Sequence, residues 1–114
     1  MIIEELPDEI DFLSFFESEP IYRDIEDAIT FGYEYQHDGI SLLFYFTALE
    51  GRVTLILKQK EVKLMHLYLE NIAKITITED ERALLIYPQS GSDANHYYVQ
   101  VRPSILINNR GYCC

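Results

Sequence analysis

Apolar and polar residues alternate with a period of two through the middle of the chain. Ile29, Phe31, Tyr33 and Tyr35 interleave with Thr30, Gly32, Glu34 and Gln36, the pattern of a strand with one face buried. His37-Asp38-Gly39 supplies a tight turn, in which glycine takes a positive φ freely. Ile40, Leu42, Phe44 and Phe46 resume the alternation. Glu50-Gly51 turns the chain again, and Val53, Leu55 and Leu57 continue it. Three consecutive strands therefore form a meander.

Helical spacing precedes this meander. Pro7 fits a first helical position, and Asp8 and Glu9 suit the positive end of a helix dipole. Ile10, Leu13 and Phe16 follow at intervals of three, with Phe12 and Phe15 widening the apolar face, and Pro20 stops the run. The pattern predicts a helix from about Pro7 to Ser18, apolar side down on a sheet. Ile21 to Ala28 fits helical spacing or an irregular acidic connection. It is short for an independent helix, so a turn or short helix is expected there.

Lys60 to Lys74 is ambiguous. As a strand, Val62, Leu64, His66 and Tyr68 face one way and Met65, Leu67 and Leu69 the other. As a helix, Val62, Met65, Leu69, Ile72 and Ala73 share a stripe. Apolar residues on both faces favour a buried central strand. Ile75–Thr78, a polar turn over Glu79–Arg82 and Leu84–Tyr87 form a plainer hairpin. Pro88–Asn95 reads as an exposed loop, Tyr97–Arg102 as a strand, and Ser104–Ile107 as a last edge strand. The expected class is α+β. One or two N-terminal helices pack on a mostly antiparallel meander sheet of about six to seven strands, with residues 1–114 forming a single domain.

Charge changes this picture most. The net charge is −10, and the first thirty residues hold Glu4, Glu5, Asp8, Glu9, Asp11, Glu17, Glu19, Asp24, Glu26 and Asp27 against Arg23 alone. A concentrated field attracts and orients a partner, whereas a dispersed one mainly keeps a protein soluble. Such a surface repels nucleic acid. Tyr33, Tyr35, Tyr45 and Phe46 lack the interleaved basic residues of a base-stacking platform, because no base lies between Asp24 and Gly51. The apolar run Leu42–Phe46, which no other run exceeds, is far short of the roughly 20 residues a membrane span needs. With no secretory pattern after Met1, a cytoplasmic location is expected.

The sequence carries little recognisable chemistry. It has no nucleophile elbow, phosphate loop, HExxH or EF-hand spacing. His37-Asp38 and the Asp93/His96 pair contain atoms that orient an imidazole, but two ligands are not a metal site. Adjacent Cys113 and Cys114 have no distant thiol to pair with and read as a reduced tail. Hence no catalytic residue, metal or cofactor is expected, and the weight falls on a non-enzymatic binding protein. Glu17, Glu19, Asp24, Glu26 and Asp27 would supply charge to a basic protein partner, and Tyr22 an anchor. The competing expectation is a small ligand-binding or enzymatic domain with Tyr33, Tyr35, Tyr45 and His66 lining a pocket on the sheet. Homodimerisation through a sheet edge is a further expectation.

In size, acidity and meandering sheet, the chain resembles the small cytoplasmic immunity proteins that neutralise bacterial toxins, many of them basic nucleases. The resemblance lies in general character over the whole length. It implies an inhibitor's role and assigns no residue to it.

Overall fold

The computed structural model describes residues 2–24, 26, 29–89 and 96–110. One helix, α1 (Glu9–Phe16), precedes nine strands: β1 (Tyr22–Asp24), β2 (Thr30–His37), β3 (Ile40–Thr47), β4 (Arg52–Gln59), β5 (Val62–Leu69), β6 (Ile72–Ile77), β7 (Ala83–Pro88), β8 (His96–Gln100) and β9 (Leu106–Arg110). The strands form two antiparallel sheets, one ordered β1-β2-β3-β4-β5 and the other β6-β7-β8-β9. The class is α+β as expected, with the strands divided between two sheets and, among the described residues, a single helix.

Asp8 caps α1 by accepting a hydrogen bond from the Asp11 amide at 2.8 Å, and Glu17 ends the helix in the left-handed conformation. The helix is therefore shorter than its periodicity predicts. Its buried face is also rotated from the expected one. Phe12, Phe15 and Phe16 are buried, while Ile10 is 74% exposed and Leu13 also faces outward. Eight residues can press only a narrow stripe onto a sheet, and the three phenylalanines at i, i+3 and i+4 fill it. Phe12 stacks on Tyr33 and Phe46 at centroid distances of 5.1 and 5.2 Å, and Phe16 on Tyr33 and Phe44 at 4.9 and 5.6 Å.

The meander follows from its turns. Asp38 and Gly39 both take positive φ, 52° and 79°, which suits the right-handed twist of a two-residue hairpin. That turn pairs His37 with Ile40, and the register then sets Tyr33 opposite Phe44 and Tyr35 opposite Leu42. Those residues face the core with Leu55 and Val53, and the same core cluster holds Ile72, Ile75, Leu84, Ile86 and Val99 of the second sheet. The N-terminal segment stitches the two sheets together. The Ile3 amide donates to the Ala48 carbonyl at 2.8 Å, the Glu4 amide to Ala73 at 2.7 Å, and the Ile75 amide to Glu5 at 2.9 Å.

Two further expectations are corrected. Tyr22–Asp24, expected as a turn or short helix, is an edge strand pairing with Thr30–Gly32. Three residues are too few to show a period, and pairing to β2 decides their state; Ile25, Asp27 and Ala28 lie outside the described residues. β5 is a strand, but it ends its sheet instead of lying within it, and Val62 and Leu64 are 62% and 51% exposed. Its outward apolar residues made it read as central. The Pro88–Asn95 loop lies largely outside the described residues, as do Cys113 and Cys114.

Tyr33 is almost wholly buried, and burial pushes its hydroxyl up from 10.0 to about 12, with Glu9 and Glu19 adding to the rise and Arg23 opposing it. A phenol that ionises more readily unfolded than folded contributes stability in full below its unfolded value. That contribution is lost as pH climbs from about 10 toward 12. Urea midpoints of the parent chain should therefore fall steeply across this window, and Tyr33→Phe should fall less. Parallel losses in the two proteins would show that Tyr33 has no part in the alkaline transition.

Candidate functional site: two acidic grooves

The β6–β7 turn is locked by short-range hydrogen bonds. The Thr78 hydroxyl donates to Asp80 at 2.7 Å and accepts from the amides of Arg82 and Ala83, each at 3.2 Å. Asp80 also accepts from the Arg82 amide at 3.1 Å. These bonds, the Thr78 hydroxyl's first, hold the Asp80 carboxyl below the usual carboxylate range. Glu81, at a φ of 56°, turns back toward the helix and accepts a hydrogen bond from Ser14 at 2.7 Å.

This turn closes one side of an open groove of about 620 Å³, whose other side is the N-terminal segment and the start of α1. Glu4, Glu5, Asp11, Glu79 and Glu81 line it, together with Leu6, Ile75 and Ile77. Among the described residues, Glu4, Glu5, Asp11 and Glu79 have no ion-pair partner. Like charges left unpaired around one depression sum their fields.

A second groove, of about 480 Å³, lies past the end of α1 and carries Glu17, Glu19 and Glu34 beside Phe16, Ile21 and Tyr35. Arg102 stands at its margin. Its guanidinium donates to the backbone carbonyls of Phe15 and Glu81 and pairs with Glu17 at 3.2 Å. Its centre lies 5.4 Å from the Phe15 ring centroid and 5.7 Å from that of Tyr35. Arg102 thus ties the helix end, the β6–β7 turn and β2 together, and neutralises part of Glu17.

The residues expected to bind a partner are distributed as follows. Glu17 and Glu19 share the second groove. Tyr22 is a half-exposed residue of β1 opposite Gly32, and Asp24, at the strand's end, accepts a hydrogen bond from the Glu26 amide at 3.2 Å. Asp27 lies outside the described residues. Arg23, the one base of the acidic segment, pairs with Glu9 at 2.5 Å. The first groove's carboxylates were missed as a group. The Glu79–Arg82 turn is visible in the sequence, but its approach to Glu4, Glu5 and Asp11 is a long-range consequence of the N-terminal segment pairing with β6.

The expected tyrosine and histidine pocket is not formed. Tyr33 and Tyr35 face the core, whereas Tyr45 pairs with Gly32 and projects from the opposite face of the sheet, as does His66 opposite Ile56. A Cβ added at Gly32 would come within 2.3 Å of the Tyr45 ring, so that ring lies flat across the glycine beside Tyr22. His37 contacts Asp38 at 3.2 Å in its hairpin turn. Among the described residues, no three histidine, cysteine or carboxylate side chains gather as metal ligands, and no helix is long and apolar enough to cross a membrane.

The antiparallel α+β scaffold thus carries carboxylates in two open grooves, with four of those in the first unpaired among the described residues. No protein-family model and no curated protein matches the chain. Among solved structures, it is similar to a chain of a contact-dependent growth inhibition toxin–immunity protein complex from Klebsiella pneumoniae 342. The identity is 31%, the TM-score is 0.83, and 96% of this chain and 97% of that one are covered. The chain belongs to the family of that component of the toxin–immunity complex.

Proposed function

We propose that this chain is a cytoplasmic immunity protein that binds and neutralises a basic protein toxin through its acidic surface. The observation that carries this reading is the 31% identity to a chain of a toxin–immunity complex, spanning nearly the whole of both chains. The surface supports it. Carboxylates from the N-terminal segment, α1 and the β6–β7 turn converge on one groove, and Glu17 and Glu19 extend the charge past the helix end toward Tyr22, Asp24 and Glu26. Electrostatic steering of this kind raises association rates by one to three decades at low salt. Neutralisation then follows from occupancy: a toxin held on this surface has its basic substrate-binding face covered.

The test is co-expression with a toxin of the contact-dependent growth inhibition class, sought beside the chain's gene, combined with binding measured on the purified pair. The parent chain should restore growth and bind more weakly as salt rises. Reversing Glu4, Glu5, Asp11 and Glu79 to lysine should weaken binding roughly tenfold or more, and reversing Glu17, Glu19, Asp24 and Glu26 should reveal the share of the second cluster. Failure to protect, or binding indifferent to both sets of reversals, would refute the reading.

A further inference from the structure

β5 leaves a full-length sheet edge open. It spans eight residues and, among the described residues, has a hydrogen-bonded partner only on its β4 side. The other edges are guarded. β1 is three residues long. The edge of β6 is taken by the N-terminal segment through the Glu5–Lys74 bridge and the bonds to Ala73 and Ile75. β9 is only five residues long. β5 contains no proline and only one charge, Lys63, so it lacks most of the devices that keep an edge from pairing.

The strand is also self-complementary. Met65, Leu67 and Leu69 face the core side, and His66 and Tyr68 face outward. An antiparallel pair must set like-facing residues opposite one another. A two-fold axis at Leu67 does so at every position, with Met65 against Leu69 and His66 against Tyr68. The ends match in charge. Lys58, Lys60 and Lys63 outweigh Glu61 at one end of the β4–β5 hairpin, and at the other Arg52 is paired with Glu50 and Glu70 is the excess charge, so antiparallel pairing brings each net basic end to the other copy's net acidic one. The bulge between Lys63 and Met65 helps, since Leu64 is the extra residue and Lys63 is brought to the Glu70 position of the second copy. Within one chain, Lys63 reaches only His66, at 3.4 Å.

We propose that two copies of this chain associate by antiparallel pairing of their β5 edges about an axis at Leu67, joining their five-stranded sheets and setting Lys63 of each against Glu70 of the other. The occupant is a second copy because the strand's charges and its inward and outward residues complement their own reverse. This association is independent of the toxin-binding reading, and its test uses the purified chain alone.

Sedimentation equilibrium over a micromolar concentration series should give twice the 13.4 kDa chain mass at the upper end. Glu70→Lys and Lys63→Glu each oppose like charges at both ends of the interface and should weaken association roughly tenfold or more. The double variant Lys63→Glu/Glu70→Lys re-pairs them and should restore it. Both sites are exposed, and circular dichroism checks that the three variants remain folded. A monomer throughout the series, including one whose β5 edge accepts an extended segment of some other protein, overturns the proposal. So does a dimer that both single exchanges leave intact, or a double exchange as weak as the singles.

Discussion

Phe12→Ala should unfold at much lower urea than the parent chain, with a loss of about 3–5 kcal/mol. Phe12 is 1% exposed, and its ring lies within 5.1–6.2 Å of four other aromatic centroids: those of Tyr33, Phe46, Phe44 and Phe16. Truncation removes the apolar area, leaves a void the rigid sheet cannot close, and forfeits the stacking increment of each pair. Domains of this size are stable by only about 5–15 kcal/mol, so the single change removes roughly a fifth or more of what holds the chain folded. Ile10→Ala, two residues away on the exposed side of the same helix, should cost under about 0.5 kcal/mol beyond propensity. Urea denaturation followed by circular dichroism separates the two. Equal costs would mean that α1 does not dock through its phenylalanine stripe.

Arg102→Met is expected to lose about 2–4 kcal/mol, because three attachments fail together. The carbonyl of Phe15 belongs to the last turn of α1, where no intrahelical donor is available, and the carbonyl of Glu81 belongs to a residue of positive φ in the β6–β7 turn. Hydrogen bonds from a charged donor contribute about 1.5–3 kcal/mol each, and the arginine side chain is only 28% exposed, which limits screening. Methionine keeps an apolar chain in place, so the loss measures the guanidinium, both its donated hydrogen bonds and its position over Phe15 and Tyr35. Arg102→Lys should recover only part, since an ammonium cannot reach two carbonyls and the Glu17 carboxylate in the same planar geometry. If Arg102→Met unfolds at the parent's urea midpoint, the clip is ornamental.

Much of the fold was legible because half-buried strands write their burial into the sequence. β2, β3 and β4 follow the alternation of Phe31, Tyr33, Phe44, Phe46, Val53 and Leu55. The departures have identifiable physical causes. Val62 and Leu64 are apolar without being buried, so composition placed β5 inside the sheet. Tyr22–Asp24 becomes a strand only because β2 offers it an edge. The tyrosine pocket was in fact answerable beforehand. A two-residue turn at Asp38-Gly39 forces His37 against Ile40 and hence Tyr45 against Gly32, which puts Tyr45 on the face opposite Tyr33 and Tyr35. The charge asymmetry of the first thirty residues was visible. Their meeting with Glu79 and Glu81 was not, because only tertiary pairing sets that distance.

The seam formed by Ile3, Glu4 and Glu5 bears on how the molecule comes into being. These residues leave the ribosome well before Ala48 and long before Ala73 and Ile75, whose backbone groups they bond. The two sheets can each assemble by local hairpins, but the join between them waits until β6 has been synthesised. Closure is therefore a late event in biogenesis, and the acidic groove comes into existence only with it.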